Sequence, residues 1–112
     1  MPKDNSKLGL PAPTAVRNRR LKMSPGGLIT LPVAARKALR MVKGEGARVT
    51  ASVRDGAIVL ESGGDTGGFR VSPGGQLELR GEAQSVLRGG VKRHYWIELN
   101  DEAGRIVLRP EQ

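Results

Sequence analysis

The sequence of 112 residues contains no cysteine, one histidine, and one residue each of Phe, Tyr and Trp. Without cysteine the chain can form neither disulfides nor thiolate metal sites, and a single histidine cannot form a usual zinc site. No apolar run reaches the roughly 18 residues of a transmembrane helix. The amino terminus also lacks the apolar region of a secretory signal. We therefore expect a cytoplasmic protein with no cofactor, no metal and no membrane partner.

A turn-like stretch occurs twice, as SPGG at residues 24–27 and again at 72–75. The same offset of 48 residues, applied without a gap, aligns IVL at 58–60 with IVL at 106–108, and 12 of the 40 positions from 21 to 60 are identical. Self-similarity at a fixed period indicates one structural unit used twice. Each repeat has about 40 residues, near the size below which a lone core is unstable. We therefore predict that the two repeats share one core.

Positive charge is concentrated in the first half of the chain. Residues 1–62 contain 12 Lys/Arg and 4 Asp/Glu, whereas residues 63–112 contain 7 of each. Such an asymmetry favours a polyanionic partner contacted mainly through the first half. The alternative is a basic protein that its charge keeps soluble.

The pattern of turns and apolar residues predicts a strand–turn–strand–helix–strand–turn–strand unit. Residues 1–13 have several prolines and little periodicity, which predicts a flexible arm. The first repeat is predicted at 14–62, a linker at 63–68 and the second repeat at 69–112. In the first repeat we predict strands at 14–23, 28–31, 48–54 and 57–61, and a helix from Pro32 to the Lys43-Gly44 pair. In the second repeat we predict strands at 69–71, 76–79, 95–99 and 105–109, and a helix at 82–88.

Two turns have a defined chemistry. Pro25 and Gly26 are typical of a type II turn, which needs a positive φ at its third position. Asp55-Gly56 is typical of a two-residue β-hairpin loop. Along the first predicted helix, one face carries Leu31, Ala35, Ala38, Leu39 and Val42, and Arg36, Lys37 and Arg40 lie on the opposite side.

This order of elements resembles the SpoVT/AbrB/MazE family, with the pattern G-x-[IV]-x-[IL]-P-x-x-x-R at residues 27–36. The matching residues are Gly27, Ile29, Leu31, Pro32, Arg36, Leu39, the exit Lys43-Gly44-Glu45 and Asp55-Gly56 before the strand at 58–60. The resemblance covers residues 16–62 well and 69–110 weakly. It implies a mostly β fold, the swapped-hairpin β-barrel, with both repeats in one chain as in MraZ-type proteins. It also implies DNA binding by a transcription regulator, or by the antitoxin of a toxin–antitoxin pair.

Two positions depart from the family pattern. The residue after Gly27 is often Arg or Gln in the family and is used on DNA by some members, but here it is Leu28, with Gln76 in the second repeat. The second repeat also has Arg80 in place of the helix-opening proline and Gln84 in place of the helical arginine. The second repeat is therefore expected to be structural or to make a different contact.

The candidate DNA-binding residues are cations of the first repeat. Phosphate contact needs cations spread over a surface, and base-edge contact favours the forked donors of arginine. Four cations in the six residues from 17 to 22 repel one another unless a partner neutralises them. The alternative, a solvated polar face, stays open for the helical residues. The predicted set is Arg17, Arg19, Arg20, Lys22, Arg36, Lys37 and Arg40.

The aromatic cluster at 94–96 allows two interpretations. His94, Tyr95 and Trp96 could form a base-stacking platform, or Tyr95 or Trp96 could pack in or beside the core with His94 at the surface. We favour packing.

We expect no enzyme. Ser24 and Ser72 lie in predicted turns without a positioned base, and SPGG lacks the Lys-Ser/Thr of a phosphate-binding loop. No small-molecule substrate is therefore expected.

Taken together, these patterns predict a DNA-binding, nucleoid-associated transcription regulator that can form a homo-oligomer. The alternatives are an antitoxin and an oligomerisation module that does not bind DNA. We favour the antitoxin less, because antitoxins of this family usually have an acidic carboxyl-terminal segment and this chain ends at Gln112.

Overall fold

The computed structural model describes residues 14–63 and 68–112, and within them the fold is mostly β. Eight strands form one antiparallel sheet, accompanied by two short helices and a 3₁₀ turn at Val91–Arg93. The predicted arm at 1–13 lies outside the described residues, and so does the part of the predicted linker at 64–67. The elements are β1 (Thr14–Val16), β2 (Leu28–Thr30), α1 (Val33–Ala38), β3 (Ala47–Arg54), β4 (Ala57–Ser62), β5 (Phe69–Val71), β6 (Gln76–Glu78), α2 (Gly81–Arg88), β7 (Tyr95–Asn100) and β8 (Arg105–Pro110).

Strands of the two repeats alternate across the sheet, whose order is β1-β7-β8-β4-β3-β5-β6-β2. Ladders β1–β7, β2–β6, β3–β5 and β4–β8 each join one repeat to the other. Ile29 lies opposite Leu77, and Val59 lies opposite Val107. Both pairs are 48 residues apart, so the two ladders have the symmetry that the sequence offset predicts.

The ungapped alignment is wrong in β7. Val53 pairs with Ile58 in the first repeat, and Leu99 pairs with Ile106 in the second. Ile106 follows Ile58 by 48 residues, whereas Leu99 follows Val53 by only 46. A longer hairpin loop, residues 101–104 against residues 55–56, absorbs the difference. This shift explains why the ungapped comparison finds no identity between residues 41 and 55.

The predicted alternation places the core correctly in both halves. Leu21, Met23 and Val49 are at most 3% exposed, and the polar residues between them face solvent. The central strands contribute Ile58, Leu60, Ile106 and Leu108, all fully buried. One core cluster therefore contains residues from both repeats, as predicted.

Helix α1 is shorter than predicted and ends at Ala38. Arg40 has a φ of 61° and donates its backbone N–H to the Lys37 carbonyl at 2.9 Å, which closes the helix in a turn. A left-handed residue cannot continue a right-handed helix. Leu31, Ala35, Ala38 and Leu39 are buried as predicted, but Val42 lies beyond the helix and is 60% exposed.

The two SPGG turns differ from the predicted type II geometry. Positive φ values occur at Gly27 (97°) and Gly75 (87°), one position later than a type II turn requires. The N–H of Gly27 donates to the Ser24 carbonyl at 3.0 Å, and the N–H of Gly75 donates to Ser72 in the same way at 2.9 Å. A turn followed by a left-handed glycine is a three-residue hairpin loop with a bulge. The Asp55-Gly56 loop has positive φ at both residues, as its predicted hairpin requires.

Candidate nucleic-acid interface

Four predicted cations, Arg17, Arg19, Arg20 and Lys22, follow β1 and are called here the amino-terminal basic segment. The predicted strand at 14–23 is wrong in this region, because Asn18 makes a turn. Its side-chain oxygen accepts the N–H of Arg20 at 2.9 Å, and its carbonyl accepts the N–H of Leu21 at 3.2 Å. The chain then resumes pairing where Lys22 bridges His94. The turn therefore presents three arginines outside a regular strand.

The amino-terminal basic segment has little acidic compensation. Arg17 contacts Glu111 at 3.4 Å, and its side chain is 55% exposed. Arg19, Arg20 and Lys22 are exposed, and none forms an ion pair with a residue that the structure describes. An exposed contact such as Arg17–Glu111 stabilises the fold by about 1 kcal/mol or less. The segment is therefore available to an anionic partner.

The aromatic cluster beside this segment is mainly packed. Tyr95 is 1% exposed, and burial raises the pKa of its hydroxyl. Trp96 lies on the opposite face of β7, where the Arg17 guanidinium is 3.9 Å from the ring centroid. His94 is half-buried, with Nδ1 3.2 Å from the Leu21 carbonyl oxygen. Because Arg17 already covers part of the Trp96 ring, the arrangement favours a packing role over base stacking.

A second basic region surrounds α1. Arg36, Lys37 and Lys43 line a groove of about 470 Å³ whose apolar floor includes Val33 and Val42. No acidic residue in the described part of the chain lines this groove. It therefore places three positive charges next to an exposed apolar surface.

Arg36 has a structural contact in addition to its charge. Its Nε donates to the Leu31 carbonyl at 3.0 Å. In the second repeat, Gln84 donates to the Leu79 carbonyl at 2.9 Å from the equivalent position. The loss of the helical arginine in the second repeat therefore removes a charge but retains the hydrogen bond.

Arg40 does not lie with Arg36 and Lys37, since α1 ends before it. Its Nη2 donates to the carbonyls of Asp101 at 3.4 Å and Glu102 at 2.7 Å, in the β7–β8 loop. Arg17 contacts the other end of the same hairpin, at Trp96. Six strand residues separate these ends by roughly 20 Å. The seven predicted residues thus form two regions rather than one continuous patch.

Sequence reasoning missed three further cations in these regions: Lys43 beside α1, and Arg48 and Arg70 beside Arg40. Two signals could have identified the arginines. Arg48 lies on the polar side of the alternating strand β3, and Arg70 aligns with Lys22 at the 48-residue offset.

The ribbon formed by β2 and β6 carries no cation. Its exposed side chains are Leu28 opposite Glu78, and Thr30 opposite Gln76. The position after Gly27, which some members of the resembled family use on DNA, is thus an apolar residue facing a carboxylate.

Metal and membrane features are missing from residues 14–63 and 68–112. No group of three or more His, Asp or Glu side chains there could hold a metal ion. No helix in these ranges is long and apolar enough to cross a membrane. Comparison of the chain with family models, curated proteins and solved structures finds no match.

Proposed function

We propose that this chain is a swapped-hairpin β-barrel of two tandem SpoVT/AbrB/MazE-like repeats, and that it binds double-stranded DNA as a transcription regulator. It acts in the cytoplasm at the nucleoid, by binding rather than catalysis. The observation that supports this function best is the exposed amino-terminal basic segment. Three of its four cations form no ion pair with the described residues. Duplex phosphates, at one charge per about 1.7 Å of helix axis, supply the missing negative charge.

The amino-terminal basic segment is the main contact in this proposal, and the α1 region is the second. Two regions about 20 Å apart are within reach of one duplex, since that distance corresponds to about six base pairs. The β2–β6 ribbon contributes no phosphate contact, because Leu28 and Glu78 cannot bind an anion. Binding is therefore expected to depend on Arg19 and Arg20 more than on any residue of that ribbon.

A salt-series titration with a labelled duplex tests the proposal. If all seven predicted cations contact phosphates, the slope of log affinity against log salt is about −6. The Arg19→Gln/Arg20→Gln variant should make that slope shallower by about 2. Arg80→Gln, which removes an exposed charge near α2, is the single-charge control and should leave the slope unchanged.

Trp96 gives a second readout, because it is the only tryptophan in the chain and Arg17 stacks on it. Duplex binding at the amino-terminal basic segment should change the fluorescence of Trp96, and Arg17→Gln should reduce that change. Affinity that does not respond to salt, or that Arg80→Gln weakens as much as Arg19→Gln does, would reject DNA binding by this segment. No binding at all would favour an oligomerisation module.

A further inference from the structure

Three arginines converge on a groove that the sequence-based set does not define. The groove has a volume of about 470 Å³ and is lined by Arg40, Arg48 and Arg70, with Ser62 and the backbone of Gly46 and Ala47. No acidic residue in the described ranges lines it. It draws on both repeats, because Arg70 lies on β5 and the other two arginines belong to the first repeat.

The register places two of these charges side by side. Arg48 and Arg70 are direct partners in the β3–β5 ladder, and both are exposed. Direct partners in an antiparallel ladder have Cα atoms about 5 Å apart. Like charges in such a pair destabilise a sheet. The nearest carboxylate on the adjoining strand, Glu61, is engaged by Arg105 at 2.9 Å.

Arg40 approaches from the third side. Its Nη2 is held by the carbonyls of the β7–β8 loop, and its Nε is close to Gly104, where an added Cβ would be 3.3 Å away. A guanidinium has five N–H donors, so Nε and Nη1 retain donors that can meet an anion. The Ser62 hydroxyl can add one more.

We infer that this groove is a binding site for one phosphate-class oxyanion. Arginine binds phosphate oxygens through paired N–H donors, which gives geometry as well as charge. A dianion between Arg48 and Arg70 converts their repulsion into attraction to a shared partner. The phosphate can belong to a duplex backbone or to a free phosphate compound, and the chemistry of the site is the same in both cases.

Thermal unfolding of the full chain with inorganic phosphate and with pyrophosphate tests the site. Each should raise the Tm of the wild type above the value in sodium chloride at matched ionic strength, because a ligand of the native state stabilises it. Arg70→Gln should weaken pyrophosphate about tenfold or more. Without phosphate it should unfold no earlier than the wild type, since it removes a like-charge neighbour. Arg54→Gln, which removes the same charge from the far end of β3, should bind pyrophosphate like the wild type.

Competition identifies the source of the phosphate. Displacement of a labelled duplex by pyrophosphate, with weaker duplex binding by Arg70→Gln, assigns the site to the DNA backbone. Pyrophosphate binding that leaves duplex affinity unchanged assigns it to a free phosphate compound. A chain that binds pyrophosphate but no duplex retains this site and loses only the proposed function. The inference is overturned if the wild type shows no phosphate-specific rise in Tm, or if Arg70→Gln and Arg54→Gln respond equally.

Discussion

At the scale of single residues, Tyr95 is the clearest conflict between burial and polarity. Its side chain occupies the core position that Val49 fills in the first repeat, and its hydroxyl has no hydrogen-bond partner among the described residues. A buried polar group without a partner costs about 1–3 kcal/mol. Tyr95→Phe keeps the ring, so we expect the free energy of unfolding to rise by about 1 kcal/mol, measured by chemical denaturation. A decrease would show that the hydroxyl has a partner in solution.

The same residue predicts an alkaline limit to stability. Burial raises the pKa of Tyr95 in the folded state, while an unfolded tyrosine has a pKa of about 10. The folded state therefore retains the proton where the unfolded state loses it. Stability is complete below pH 10 and falls above it, by up to about 1.4 kcal/mol per pH unit. Denaturation at rising pH should show this loss in the wild type, and Tyr95→Phe should not share the component. An equal loss in both proteins would contradict the assignment.

At the scale of elements, each repeat closes its first hairpin on the other. Leu31 N–H donates to the Gly75 carbonyl and Leu79 N–H to the Gly27 carbonyl, both at 2.8 Å. A Cβ on Gly75 would lie 2.9 Å from the Leu31 oxygen and 2.8 Å from Arg36 Nε. The helix residue that caps this strand exit is therefore Arg36 in one repeat and Gln84 in the other.

This equivalence separates the structural role of Arg36 from its charge. Arg36→Ala leaves the Leu31 carbonyl without its side-chain donor, so we expect a loss of about 1–2 kcal/mol in the free energy of unfolding. Arg36→Gln should lose less than about 0.5 kcal/mol, because Gln84 makes the same bond. On DNA, both variants should weaken binding equally. If Arg36→Gln binds the duplex like the wild type, Arg36 is structural alone.

The sequence predicts most of the strands but not the connections. Periodicity places Val49, Ile58 and Ile106 in the core, because burial follows a local period of two. It does not predict where α1 ends, since the left-handed Arg40 depends on contacts with a loop more than 60 residues away. For the candidate site, composition identifies the basic half. The convergence of Arg48 and Arg70 follows from the β3–β5 register, which no local pattern encodes.

At the scale of the whole molecule, four of the ladders that hold the sheet run between the repeats. A fragment of about 50 residues that loses these partners exposes strand edges and half of its core, and so lies near the size limit for independent folding. Residues 14–63 also carry ten Lys/Arg against three Asp/Glu, whereas residues 68–112 carry seven against six. Charge repulsion therefore disfavours a dimer of the first fragment more than a complex of the two fragments.

We accordingly expect the fragments 14–63 and 68–112 to be unfolded when separate and to fold together at 1:1 stoichiometry when mixed. Circular dichroism of the mixture should exceed the sum of the parts, and mass measurement should give one copy of each. Dimers of 14–63 should form only at high salt, where the repulsion is screened. Because Ile29 and Val59 pair with their own equivalents, such a dimer has matching registers available. Cooperative unfolding of monomeric 14–63 would show that the first repeat has a core of its own, and the shared core would then be wrong.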